Sequence, residues 1–76
     1  MVDPVPHTFS YDKYTQFFLH YDNECRQLWY IVGFFKMNNS IGKHYIAVSD
    51  SEEEICIWAD MNNIILDLSQ KNYGHL

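Results

Sequence analysis

A chain of 76 residues with ten acidic against five basic side chains, a net charge of −5 and 47% hydrophobic content reads as one small folded domain, not a disordered tail. That charge argues against direct contact with a nucleic-acid backbone, which needs clustered Lys and Arg, whereas Lys13, Arg26, Lys36, Lys43 and Lys71 are scattered. Two cysteines, Cys25 and Cys56, do not make a disulfide framework and read as thiols in a reducing compartment.

The first stretch, MVDPVPHTF, has no basic segment followed by an apolar run, so it does not read as a signal peptide. Pro4 and Pro6 make 1–11 an extended arm ahead of a single small α+β domain at 12–76. The longest apolar run, LWYIVGFF, is far short of the roughly 20 residues of a membrane span. A cytoplasmic protein is expected, in the host cell if it is viral, with no membrane partner.

Three strands follow. The segment 13–22 alternates, with Thr15, Phe17, Leu19 and Tyr21 on one face and Tyr14, Gln16, Phe18 and His20 on the other. A polar turn, DNECR, leads into 26–36, the strongest strand of the chain. There Leu28, Tyr30, Val32 and Phe34 oppose Trp29, Ile31, Gly33 and Phe35, so both faces are apolar and need cover. MNNSIGK reads as a turn with Gly42 serving it, and HYIAVS at 44–49 as a short third strand. Gly33, in mid-strand, predicts a bulge or close helix packing.

Ser51 and Glu54 fit a capping box, and Glu52, Glu53 and Glu54 would stand near the positive end of a helix dipole, with Lys71 near the negative end. The spacing predicts a helix over about 51–70. Wound at 100° per residue, it would show a narrow polar stripe of Asp60, Asn63 and Asp67. Ile55, Ile57, Trp58, Ala59, Met61, Ile64, Ile65, Leu66 and Leu68 would spread over more than half the circumference, more than one sheet covers. The competing reading makes EICIWAD and NIILDL a hairpin. The expected fold is therefore α+β, a three-stranded antiparallel sheet followed by one C-terminal helix packed on it, with an all-β five-stranded meander as the alternative.

Residues with chemical potential have plainer roles. His7, His20, His44 and His75 lack the i, i+3 or i, i+4 spacing of a helical metal site, and His20, Asp22 and Cys25 form only a weak mixed set. Cys56 sits between isoleucines after three carboxylates, an environment that disfavours a thiolate nucleophile, and Cys25 has no evident oriented base. The glutamate run suits a solvated helix start better than acid–base catalysis, which needs an apolar pocket. Gly33, Gly42 and Gly74 are isolated, so no phosphate loop is present. No catalytic, metal or cofactor site is expected.

In general style (small, acidic, aromatic-rich and without a catalytic signature) the chain resembles proteins of phages and mobile elements that block a host machine, such as anti-CRISPR-like anti-defence inhibitors. The likeness is one of composition and size. It implies a non-enzymatic protein that inhibits or regulates a larger protein or nucleoprotein with a basic patch by occupying a surface. Asp50, Glu52, Glu53 and Glu54 would steer the encounter, and Trp58, Met61, Ile65, Trp29 and Phe35 would anchor it. The alternative is a homodimeric structural or regulatory accessory protein whose second copy covers the surplus apolar surface.

Overall fold

A computed structural model describes residues 1–6 and 10–67, and the backbone of 72–73. In chain order it contains β1 (Val2–Pro4), a 3-10 turn (Tyr11–Lys13), β2 (Gln16–Asp22), β3 (Leu28–Met37), β4 (Ser40–Ser49), α1 (Glu52–Met61) and β5 (Asn72–Tyr73). The fold is α+β. Its sheet runs β1-β4-β3-β2-β5 and is antiparallel throughout except for the β2–β5 pair.

The three expected strands are its centre, and the sheet is wider than expected. The arm adds β1 at one edge, where Val5 N donates to Ile46 O at 2.8 Å. An edge suits a strand containing Pro4, because proline has no N–H to give a ladder. At the other side β5 pairs with His20 and Tyr21. The expected turn at 37–43 shrinks to Asn38 and Asn39, with Met37 paired to Ser40 and Asn38 at φ 30°. Asparagine tolerates that left-handed region, so β4 gains four residues at its start and includes Gly42.

One irregularity decides what the sheet buries. Ile31 pairs with Ala47 but Val32 pairs with Tyr45, so Ile46 is an extra residue on β4. This bulge turns both Ile46 and Ala47 into the core, each with no exposure. On the α1 side lie Leu19, Ile31, Phe35, Ile46 and Ala47, meeting Ile55 and Ala59 of the helix and Ile64 beyond it. Phe17 and Leu19, not Phe18 and His20, therefore face the helix. Tyr14 joins this core from just ahead of β2, where the 3-10 turn breaks the strand alternation.

Gly33 and Gly42 serve aromatic rings, not the helix or a turn. A Cβ on Gly33 would approach the Tyr14 ring to 2.7 Å, and one on Gly42 would collide with the Phe35 ring. The bulge expected at Gly33 lies at Ile46 instead.

Helix α1 stops at Met61, well short of residue 70. Asn63 takes φ 59°, Asn63 N donates to Asp60 O at 3.2 Å, and Ile64 N donates to Ala59 O at 2.8 Å. These two bonds and the left-handed residue form a Schellman stop, a position where asparagine is tolerated better than most residues with a Cβ but less well than glycine. The Asn62 side chain adds a bond from Nδ2 to Trp58 O at 2.8 Å. The chain then runs extended: Leu66 bridges to Phe17, and Asp67 N donates to Phe17 O at 2.7 Å. Ile64 is thereby buried and Leu66 half-buried. The wide apolar circumference expected of a longer helix is divided between two elements. The all-β alternative fails at α1, although 64–67 of its second segment leave the helix and run beside Phe17. The dipole role expected of Lys71 lies outside the described residues.

Candidate functional site

The acidic start of α1 is built by Ser51, whose Oγ accepts from Glu54 N at 3.2 Å. The capping box is half made, because Ser51 N donates to Ser49 Oγ at 3.0 Å and not to Glu54. The Glu54 carboxylate instead lies 3.2 Å from the Met1 ammonium, and Asp50 Oδ1 lies 3.3 Å from it. Hydrogen bonds to Glu54 first and Asp50 second raise the pKa of that ammonium. All three groups are exposed, so solvent screens the pairs and they contribute little stability.

On α1, Ile55 and Ala59 point at the sheet, which sets Ile57 on the outward pole. Ile57 is 51% exposed and Met61 78% exposed. Together with Glu54, Trp58, Met1 and Val2 they line a shallow groove. Glu53 and Asp60 flank Ile57 on the other side by helical spacing, and both are exposed. The result is an apolar ridge bordered by carboxylates.

Of the residues singled out from sequence, Asp50, Glu53, Glu54 and Met61 lie at or along this ridge, whereas Glu52, exposed in the first turn, stands about 140° round the helix from Ile57. Ile65 is 86% exposed beyond the helix stop. Trp58 is half-buried, with Tyr11 edge-on at 6.5 Å. Trp29 and Phe35 are elsewhere, on the core side of the sheet: Trp29 packs on Tyr21 at 4.7 Å, and Phe35 is 9% exposed. Ile57 was missed. Its signal is visible once α1 is taken as Glu52–Met61, because the buried pair Ile55 and Ala59 then fixes the opposite pole.

The other face of the sheet is a second apolar surface, the one that the two-faced pattern of β3 announces and that carries its Tyr30 and Phe34. Cross-strand register places Phe18, Val32 and Tyr45 in one row, His20, Tyr30 and Val48 in the next, and Gln16, Phe34 and Lys43 on the far side. Phe18 meets Phe34 edge-on at 5.2 Å, and Tyr30 meets Tyr45 at 5.1 Å.

The mixed set His20, Asp22 and Cys25 is not gathered. His20 lies beside Tyr30, while Asp22 Oδ1 accepts from Glu24 N at 3.1 Å and Cys25 N at 3.4 Å in the turn. Among the described residues no three of His, Cys, Asp and Glu could hold one metal ion. Cys25 is exposed, Cys56 is half-buried, and neither forms a disulfide. His44 Nδ1 is bonded to Tyr14 Oη at 2.9 Å, and His7 and His75 lie outside the described residues. No helix among the described residues is long and apolar enough to cross a membrane.

No family model matches the chain, no curated protein matches its sequence, and no solved structure matches its fold.

Proposed function

We propose that this protein is a non-enzymatic binder that inhibits or regulates a larger protein or nucleoprotein machine by occupying a basic and apolar surface on it. The observation that carries this reading is the pairing of Ile57 and Met61, exposed on the outward side of α1, with carboxylates on both flanks. Exposed apolar side chains ringed by charge are the composition of an interface centre with a polar rim. Asp50, Glu52, Glu53, Glu54 and Asp60 would steer a basic partner, or take the place of phosphates on a nucleic-acid-binding one. Ile57 and Met61 would then enter an apolar pocket, and inhibition would be steric.

The test begins with capture of the partner from the native host and continues with the purified pair. Ile57→Ser/Met61→Ser should keep the fold by circular dichroism and weaken binding at least tenfold, about 1.4 kcal/mol or more. Wild-type affinity should fall between about 0.05 and 0.5 M salt, because exposed charges are screened within a Debye length. Undiminished binding by the double variant would remove the ridge from the interface, and affinity indifferent to salt would remove the steering role of the carboxylates.

A further inference from the structure

We infer that the sheet face opposite α1 is the seam of a two-fold homodimer. Register puts Leu28, Tyr30, Val32, Phe34 and Lys36 of β3 on this face, beside Phe18 and His20 of β2 and Ile41, Tyr45 and Val48 of β4. Among the described residues the one helix packs on the other side. Ile41 is 70% exposed and Tyr45 45% exposed, although Val32 between the strands is fully buried. An aromatic sheet face of this kind suits a second sheet packed about 10 Å away.

Charge identifies the second sheet as a copy of this one. The β3–β4 hairpin end of the face carries Lys36 and Lys43, and 34–43 contains no acidic residue. At the opposite end stand Asp3, Asp22, Glu24 and Asp50, against Arg26 and the Met1 ammonium. Positive and negative ends are thus separated along the strands by an uncharged aromatic middle.

A two-fold axis lying in the interface and running across the strands reverses strand direction while keeping strand order. It lays the lysine end of one copy on the acidic end of the other. With the axis near Val32, Tyr30 falls over the partner's Phe34, since the two stand equally far from Val32 along β3. Asp3 and Asp22 each fall one strand away from the partner's Lys43 and Lys36, about 4.8 Å to the side. An axis along the strands would set lysine on lysine, so the charges select one of the two aligned face-to-face arrangements. A nucleic-acid strand would meet cations at one end only and carboxylates at the other. The dimer buries both aromatic faces and leaves the two α1 ridges outward on opposite sides. It therefore stands or falls independently of what the ridge binds.

The test is sedimentation equilibrium from micromolar to millimolar protein at low salt, with folding checked by circular dichroism. Wild type should approach twice the monomer mass. Asp3→Lys and Lys43→Glu, both exposed and outside the core, should each weaken self-association about tenfold or more through like-charge contact. An equimolar mixture of the two variants should restore association to the wild-type level, because each swapped end then meets its complement. A wild type that stays monomeric overturns the proposal, as does a dimer indifferent to both swaps or a mixture that does not recover. A monomer whose tyrosine fluorescence is quenched by oligothymidylate would assign the face to single-stranded nucleic acid and overturn it equally.

Discussion

Tyr14 Oη lies 2.9 Å from Nδ1 of His44, and the same tyrosine ring rests against Gly33, the residue that His44 faces across the β3–β4 ladder. Phe17 at 5.4 Å and Phe35 at 6.0 Å hold the ring from two sides. The 3-10 turn, β2, β3 and β4 are therefore tied at one point, and the absence of a side chain at Gly33 makes the room.

Gly33→Ala should destabilise the fold by about 1–3 kcal/mol, the usual range for forcing one methyl group into a filled core. The new Cβ would sit 2.7 Å from Tyr14 Cδ1, and the ring cannot retreat without losing His44. Urea unfolding reads the change directly. If the same substitution cost as much in a Tyr14→Leu background, the ring would not be the cause.

Alkali should attack the same point. Burial, and secondarily the nearby Tyr11, raise the pKa of the Tyr14 hydroxyl, because the fold favours its neutral form. The sign follows from linkage. A pKa higher in the folded state means stability that is complete below the ordinary tyrosine pKa of about 10 and lost as pH rises through the folded value. Urea midpoints should therefore fall above about pH 10, and less steeply in Tyr14→Phe. An identical alkaline fall in both proteins would place the titrating group elsewhere.

How far the sequence is legible follows from the size of each signal. Strand β3 is legible because Leu-Trp-Tyr-Ile-Val and Phe-Phe make it β-favouring over most of its length, and its two apolar faces announce cover on one side by α1 and a second apolar surface on the other. The helix start is legible because Ser51 and three glutamates agree. Its end is not, because Asn62 and Asn63 fit the polar stripe of a continuing helix as well as a left-handed stop. Strand β4 misleads through a single residue: strict alternation puts Ile46 and Ala47 on opposite faces, and the bulge buries both. Part of the acidic ridge is legible from charge, but its apolar centre at Ile57 depends on knowing which helix face is buried.

Asn63→Gly should stabilise the protein by about 0.5–1 kcal/mol, because φ 59° costs a residue with a Cβ and costs glycine almost nothing. Asn63→Val should lose more than that, since a β-branched side chain fits the left-handed region poorly. Ile64 would then be drawn from its buried site, as its N–H reaches Ala59 O only through that turn. Thermal unfolding of the pair reads both signs. If glycine destabilised the fold, the Asn63 side chain would have a role beyond its backbone angle.

Ile55 and Ile57 are two residues apart on α1 and should behave as opposites. Ile55 has no exposure, and Ile55→Ala should cost about 2–5 kcal/mol, the combined loss of transfer energy and of packing around the cavity left behind. A domain of this size has only about 5–10 kcal/mol in total, so that variant should sit near its unfolding threshold. Ile57 is 51% exposed, and Ile57→Ala should shift stability by no more than about 0.5 kcal/mol. Any larger effect of Ile57→Ala must therefore appear in binding and not in folding. Equal destabilisation by the two substitutions would mean that Ile57 is buried within the protein itself, and the outward ridge would cease to be a surface at all.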